Sequence, residues 1–194
     1  MLRAGDVIEN PVTGEHIVVL EGSEDTGGAH LLFELTVSPG GHVAGEHIHD
    51  ELEETFEVLA GRVGVRLDGR EFELGEGERA VVPTGTAHDW WNDSNEDAVV
   101  RVRVQPAGRF EEMITTVFAL ARAGRTNAKG MPGPLQVAVL AREFDSTLRL
   151  TKPPRIVQRI VFAVLAPLAR MRGYSGVVPY GELEHVDLTE RQTA

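Results

Sequence analysis

Residues 41–61, GHVAGEHIHDELEETFEVLAG, decide both the fold and the chemistry expected of this 194-residue chain. His47 and His49 lie two residues apart in a segment whose pattern predicts a β-strand. Because residues two apart in a strand project from the same face, the two imidazoles point the same way. A short turn over residues 50–52 can then bring Glu54 back beside them. Two neutral nitrogens and a carboxylate on one wall suit a divalent first-row metal ion.

A fourth donor comes from a second stretch, residues 77–92, GERAVVPTGTAHDWWN, which contains His88. The carboxylate of the first stretch has two candidates, Glu53 and Glu54. Alternation favours Glu54, because it shares a face with Phe56 and Val58, which are expected to point inward.

The two stretches resemble the two motifs of the cupin family. The first motif, G-x5-H-x-H-x4-E-x6-G, fits from Gly41 to Gly61, and the second, G-x5-P-x-G-x2-H-x3-N, fits from Gly77 to Asn92, both without a spacing error. The resemblance implies an all-β jelly-roll barrel of about six to eight strands. It also implies one divalent transition metal ion inside the barrel (Fe, Mn, Ni, Co, Cu or Zn), with four ligands: His47, His49, Glu54 and His88.

Short alternating runs outside the motifs predict the same all-β class. Residues 31–37 place Leu31, Phe33, Leu35 and Val37 on one face. Asp68 and Gly69 form a strong two-residue hairpin signal. Many short strands with turns every eight to twelve residues are typical of a sandwich or a closed barrel.

The charge changes sign along the chain and marks the predicted domain boundary. Residues 1–108 contain 7 Lys and Arg against 22 Asp and Glu, whereas residues 109–194 contain 12 against 8. The change falls near residues 106–108. We therefore predict a cupin β-barrel over residues 1–106 and an α-helical extension over residues 107–194, which packs on the barrel or on a partner subunit.

Periodic apolar residues predict three helices in the extension: about residues 110–124, 135–145 and 155–171. Pro167 is expected to kink the third helix or to start a new turn. Ile156, Ile160, Val161, Val164 and Leu168 form an apolar stripe on this helix with arginines behind it, the pattern of membrane-surface helices. The stretch is too short and interrupted to span a bilayer. We favour burial on the barrel or on a second subunit and expect no membrane partner. The resemblance implies a homodimer, because cupins commonly pair as dimers.

Composition excludes some function classes. A formal net charge of -11 argues against nucleic acid as a partner, since phosphate binding needs a basic surface. The chain contains no cysteine, so disulfides and thiolate chemistry are excluded. The first fifteen residues lack the apolar segment of a signal peptide, and a cytoplasmic location is expected.

The pocket beside the ligands is expected to be apolar. Trp90 and Asn92 share a face with His88, and Phe33 and Phe56 lie on inward faces, so these four are the candidate substrate-binding residues. The alternative is that the aromatic residues only form barrel core, and it is favoured for Phe33 and Phe56. Such a pocket favours a small organic ligand. His30 and His42 are weaker acid/base candidates, because surface positions suit them better. Alternation places no second carboxylate inside the barrel, which leaves Glu54 as the candidate catalytic proton acceptor.

The sequence favours a metal-dependent enzyme acting on a small organic substrate. Dioxygenase-type oxidation is the leading class, and metal-assisted isomerisation or cyclisation is second. The alternative is a non-catalytic module, either a ligand sensor or a barrel stabilised by its metal. Cupin barrels host all of these activities, so the fold alone does not select among them.

Overall fold

A computed structural model describes residues 2–189, which form two antiparallel β-sheets around one core, followed by three helices. The strands are β1 (Asp6–Asn10), β2 (Glu15–Glu21), β3 (Leu31–Val37), β4 (His42–Ile48), β5 (Glu53–Ala60), β6 (Arg62–Leu67), β7 (Arg70–Gly75), β8 (Arg79–Val82), β9 (His88–Trp91), β10 (Ala98–Gln105), β11 (Arg149–Leu150) and β12 (Glu184–His185). The helices are α1 (Phe110–Arg122), α2 (Pro134–Glu143) and α3 (Arg155–Met171).

The seven-stranded sheet has the order β12-β1-β2-β3-β10-β5-β8, and the five-stranded sheet has the order β11-β4-β9-β6-β7. All of the strand pairs are antiparallel. The predicted all-β barrel followed by helices is therefore confirmed. β4 and β9 lie side by side in the smaller sheet, which brings the two motifs together.

Alternating apolar residues of both sheets fill the barrel interior. In β3 every second residue is buried, and its partner β10 places Val100 opposite Leu35 and Val102 opposite Phe33. Phe56 and Val58 on β5 point into the same core. Burial of each such side chain contributes about 1.5–3 kcal/mol to stability. The inward faces predicted for Phe33, Phe56 and Val58 are thus the ones observed, with exposures of 2%, 1% and 0%.

The three predicted helices are present with bounds close to those expected. α3 runs without interruption through Pro167, where the sequence predicted a kink or a new turn. Proline leaves the carbonyl of Ala163 without its helical donor. Both residues are exposed, so water can satisfy that carbonyl and the helix continues.

The extension is built into the barrel through two short strands that the sequence did not predict. β11 adds to the smaller sheet beside β4, and β12 adds to the larger sheet beside β1. α1 contributes Phe110 to the barrel core, where its ring stacks on Phe33 at a centroid distance of 6.1 Å. The division at residue 106 stays a prediction, and residues 190–194 of the predicted extension lie outside the described residues.

Charged and close contacts also join the two parts. Arg149 pairs with Asp50 at 2.9 Å, and Arg122 lies 3.6 Å from Glu9, so basic residues of the extension meet acidic residues of the barrel. Gly130 has φ +72°, and a Cβ there would lie 2.7 Å from the Thr13 methyl group. Only glycine lets the loop before α2 approach the β1–β2 turn this closely.

The apolar stripe of α3 is not covered by the barrel of the same chain. α3 packs against α2 and buries Gln158, Ala166 and Ala169, whereas Ile160 and Val164 are 62% and 67% exposed. Burial of the stripe on a second subunit stays a prediction. Within residues 2–189, no helix is long and apolar enough to cross a bilayer.

Candidate metal centre

Three strands bring the four predicted ligands into one cluster inside the barrel. His47 lies near the end of β4 directly opposite His88 on β9, His49 follows β4, and Glu54 lies on β5. The four side chains are buried, with residue exposures of 4%, 2%, 4% and 0% for His47, His49, Glu54 and His88. Their ligand atoms all lie within 4.8 Å of one another. Glu53, the competing carboxylate, is exposed on the opposite face of β5.

Each imidazole is held through its Nδ1 atom by a backbone carbonyl. His47 Nδ1 lies 2.6 Å from the carbonyl of Gly45, and His88 Nδ1 lies 3.1 Å from that of Thr86. His49 Nδ1 makes the same contact with the carbonyl of Thr147. A carbonyl only accepts hydrogen bonds, so we assign the proton to Nδ1 in all three rings. This tautomer directs the lone pair of every Nε2 toward the cluster centre.

The centre of the cluster therefore contains acceptors that face one another. His47 Nε2 lies 3.1 Å from His49 Nε2. The Glu54 Oε2 atom lies 2.9 Å from His88 Nε2 and 3.2 Å from His49 Nε2. Buried lone pairs at these separations need a proton or a cation between them.

A single metal ion fits the cluster. The donor set of three imidazoles and one carboxylate suits a divalent transition metal. His47, His49, Glu54 and His88 would hold the ion, since their ligand atoms all lie within 4.8 Å of one another. The three backbone contacts to Nδ1 are the outer hydrogen bonds that orient metal-binding histidines.

Burial and mutual charge shift the titration of three ligands in the metal-free cluster. Burial, with the neighbouring His88 and His49, lowers the pKa of His47 from 6.5 to about 3. Burial also opposes ionisation of Glu54, but His49 and His88 outweigh it and hold its pKa well below 4.5. Burial alone would lower the pKa of His49, yet the adjacent Glu54 carboxylate raises it above 6.5. The cluster thus keeps Glu54 ionised and His47 neutral, which are the forms that bind metal, whereas a protonated His49 must lose its Nε2 proton before it can bind an ion.

The C-terminal extension supplies an outer layer around the cluster that the sequence analysis missed. Thr147, whose carbonyl contacts His49, lies between α2 and β11. β11 pairs with β4 so that Leu150 is opposite His47. Phe110 of α1 meets the His49 ring edge to face at a centroid distance of 5.8 Å. No local pattern in residues 41–92 could have indicated these contacts, because their partners are far along the chain.

A cavity of about 220 Å³ lies between the cluster and the extension. His47, Glu54 and Trp90 form part of its wall on the barrel side. The helical side is mainly apolar. Its lining includes Phe110, Met113, Ile114, Val117, Phe118, Val137, Leu140 and Phe144. The metal-type cluster therefore opens onto an apolar cavity that the extension covers.

The four candidate substrate-binding residues are placed differently by the structure. Trp90 lines the cavity, whereas Phe33, Phe56 and Asn92 lie outside its wall. Phe56 packs beneath Trp90 and His88. The Asn92 amide donates to the carbonyls of Val37 and Glu96, which stabilises the turn after β9. Their binding of a substrate stays a prediction, and Trp90 is the residue best placed for it.

A second buried carboxylate lines the cavity, contrary to the expectation from alternation. Glu15 at the start of β2 is 8% exposed. Its Oε2 accepts hydrogen bonds from Thr13 Oγ1 at 2.5 Å and from Asn10 Nδ2 at 3.3 Å. Burial outweighs these bonds and raises its pKa. The signal was present in the sequence, because Glu15 shares a strand face with the buried Ile17.

The two additional histidines also differ in position. His42 lines the cavity and stacks on Trp91 with ring centroids 5.5 Å apart. His30 instead pairs with Glu21 at 2.5 Å. Of the two, His42 lies at the site.

Comparison with known proteins agrees with the motifs. Residues 33–104 match the family model of the cupin domain. The quercetin 2,3-dioxygenase of Bacillus subtilis is 27% identical over 106 residues, which are 55% of this chain and 31% of the relative. The chain thus spans about a third of the length of that curated relative.

Two solved structures are similar to about half of the chain. A predicted oxalate decarboxylase from Thermotoga maritima is 19% identical, with a TM-score of 0.48, over 55% of this chain and 99% of that one. A cupin-superfamily sugar phosphate isomerase from Silicibacter pomeroyi is 22% identical, with a TM-score of 0.44, over 50% of this chain and 62% of that one.

The shifted pKa of His47 predicts how the stability of metal-free protein depends on pH. Below 6.5 the unfolded chain protonates His47, whereas the folded chain resists protonation down to about 3. The free energy of unfolding should therefore fall on acidification by about 1.4 kcal/mol per pH unit for this group. The lowered pKa of Glu54 also makes the free energy of unfolding fall on acidification below pH 4.5. The raised pKa of His49 acts in the opposite direction and lowers the free energy of unfolding as the pH rises above 6.5.

Urea unfolding of chelator-treated protein between pH 4.5 and 6.5 measures this dependence. His47→Gln should flatten the profile, and His16→Gln, which changes a histidine outside the cluster, should not. Identical profiles for the parent and His47→Gln would contradict the assignment.

Proposed function

We propose that this chain, a member of the cupin superfamily, is a metal-dependent enzyme that oxidises a small organic substrate by dioxygenase-type chemistry. The single observation that supports this most strongly is the buried cluster of three histidines and one glutamate at the wall of an apolar cavity. A purely structural site would not need a cavity beside two of its ligands. The Bacillus subtilis relative, a quercetin 2,3-dioxygenase, favours the oxidative class.

The bound ion would be one divalent transition metal held by His47, His49, Glu54 and His88. When bound, such an ion polarises a substrate oxygen and, if redox-active, supports chemistry with molecular oxygen. The rest of the site follows from the side chains of this chain. They set the size of the substrate, exclude water and place the groups that can take or give a proton.

The cavity volume restricts the substrate class. At about 220 Å³ it is smaller than the roughly 300–1,000 Å³ of typical pockets for drug-sized ligands. It suits a single-ring or short-chain molecule better than a three-ring flavonol such as quercetin. Such a molecule could contact the flat ring of Trp90 on one side of the cavity. On the other side it could contact Phe118 and Leu140. A small enol or a single-ring phenol is therefore the proposed substrate class.

Glu54 and Glu15 both line the cavity, and their pKa values are shifted in opposite directions. The lowered pKa of Glu54 keeps its carboxylate ionised, so one of its oxygens can accept a proton from an acidic substrate hydroxyl. Burial raises the pKa of Glu15, so its acid form is easier to reach than in a free glutamate, and that form can donate a hydrogen bond to a substrate oxygen. Two carboxyl groups with pKa values moved apart are a common arrangement of acid and base.

Isomerisation or cyclisation on the same ligands is the second candidate, since Glu54 could move a proton without oxygen. A non-catalytic sensor is the third, because an apolar cavity can simply retain a ligand. Both are distinguishable from the oxidase by their dependence on oxygen and on the metal.

Turnover in air should require a redox-active metal. Chelator-treated protein would be reloaded separately with Fe, Mn, Ni, Co, Cu or Zn and offered a panel of small enols and single-ring phenols. We expect oxygen consumption with at least one redox-active ion, and none with Zn, because Zn has no redox chemistry. His88→Ala should lower the rate more than about a hundredfold by removing a ligand. An oxygen electrode and mass spectrometry of products measure both.

His16→Gln serves as the matched control and should leave the rate unchanged. Turnover that continues without oxygen would replace the proposal with isomerase or cyclase chemistry. Saturable binding of a panel compound without any reaction, for every metal, would replace it with the sensor.

Glu15→Gln separates proton transfer from recognition at the second carboxyl group. Glutamine keeps the shape and can still donate a hydrogen bond, but it cannot give up a proton. If Glu15 only recognises the substrate as a neutral acid, kcat should change less than about threefold, whereas Glu15→Ala should raise KM about tenfold, as expected for one lost hydrogen bond. Steady-state kinetics at unchanged metal content make the measurement. A large fall in kcat for Glu15→Gln would contradict a recognition role and indicate proton transfer.

A further inference from the structure

The most unusual surface of the described chain is the outward face of α3, which we call the α3 stripe. Its members are large apolar residues that are all exposed: Ile156, Val157, Ile160, Val161, Val164, Leu168 and Met171. Exposure reaches 65% at Ile156 and 85% at Met171. Contiguous apolar surface of this kind on a folded protein generally marks a contact site.

The stripe is continuous around the helix. At 3.6 residues per turn, its seven members fall within an arc of about 140°. The opposite arc holds Gln158, Ala166 and Ala169, which pack against α2 or the chain below. α3 is thus attached to the protein by one narrow side and presents an uninterrupted apolar side outward.

Arginines border the stripe on both flanks, and α3 has no acidic residue. On the helix circumference, Arg159 and Arg170 fall at one edge of the stripe and Arg172 falls at the other. Arg170 pairs with Glu143 of α2 at 3.2 Å. Within residues 2–189, Arg159 and Arg172 have no ion-pair partner, so both side chains are free to meet an anionic group.

We propose that the α3 stripe docks reversibly on the surface of an anionic phospholipid bilayer. The helix would lie in the plane of the membrane, with the stripe among the upper acyl chains and the flanking arginines at the phosphate groups. This placement follows from an apolar arc with cations at its edges, which is the arrangement of interfacial helices. Arginine also binds phosphate with particular strength through its planar set of donors.

The charges around α3 favour a membrane over a second copy of the chain, so this proposal departs from the subunit contact that the sequence predicts for the stripe. If two α3 helices packed face to face, the arginines at the edges of one stripe would meet those of the other. α3 has no carboxylate that could form ion pairs with these arginines. Like charges opposed across an interface disfavour association. An anionic lipid surface, by contrast, buries the apolar stripe among its acyl chains and pairs the flanking arginines with its phosphate groups.

The acidic barrel does not prevent such docking. The negative excess belongs to residues 1–108, whereas residues 109–194 are net basic. Exposed charges farther than about 8 Å from the membrane are largely screened at physiological ionic strength. Of the carboxylates near α3, Asp145 and Glu143 already pair with Arg155 and Arg170.

Co-sedimentation with vesicles tests the proposal. The full chain would be mixed with vesicles of phosphatidylcholine alone and with vesicles that also contain phosphatidylglycerol. Binding should be strong only with phosphatidylglycerol and should weaken as salt is added. Ile160→Ser/Val164→Ser should bind about tenfold or more weakly, because two apolar side chains no longer enter the bilayer. Arg159→Gln/Arg172→Gln should lose about fivefold per arginine.

Two matched controls keep the test specific. Phe72→Ser changes a partly exposed apolar residue on β7, and Arg79→Gln changes an exposed arginine on β8, both outside α3. Both should bind as the parent does, and far-UV circular dichroism should show that every variant is folded. Failure of the parent to sediment with phosphatidylglycerol vesicles would overturn the proposal, as would binding that the α3 substitutions leave unchanged. A dimer in sedimentation velocity that Ile160→Ser/Val164→Ser dissolves, without vesicle binding, would assign the stripe to a second copy instead.

Discussion

The contact between the His49 ring and the carbonyl of Thr147 joins the two parts of the molecule at its centre. His49 belongs to the barrel, whereas Thr147 belongs to the C-terminal extension. The hydrogen bond fixes the tautomer of His49 and aims its Nε2 at the other three ligands. β11, paired with β4 beside His47, and the ion pair between Arg149 and Asp50 hold Thr147 in place. The extension is therefore part of the site and not an appendage.

The same contact explains why the cavity has its present shape. β11 of the extension pairs with the ligand strand β4, and α1 and α2, which precede β11 in the chain, lie along the cavity beside the cluster. They supply the apolar wall that faces Trp90 and Glu54. α3, which follows β11, is left on the outside with its stripe exposed. One long-range attachment thus encloses the site and at the same time creates the outer surface on which the membrane proposal depends.

Much of the barrel and its ligand cluster could be predicted from sequence because local rules determine them. The period of a strand places His47 and His49 on one side, alternation selects Glu54 over Glu53, and motif spacing adds His88. The outer layer could not be predicted in this way, because Thr147 is 98 residues from His49 and acts through its backbone, whose position no side-chain pattern reveals. Glu15 is a different case. It shares a strand face with Ile17, so alternation indicates its inward direction, but its burial beside the cavity depends on the tertiary structure around it.

The central claim is that four buried acceptors surround one point and bind a metal ion there. The metal content of the protein tests this claim most directly. Protein purified without a histidine tag would be measured by mass spectrometry of the elements, together with a His47→Ala/His88→Ala variant. The account predicts about one divalent transition metal ion per chain in the parent, since the four ligands share one centre, and almost none in the variant. A folded parent that contains no metal and takes up none when it is added would contradict the account and leave a cupin barrel that has kept its motif without the ion.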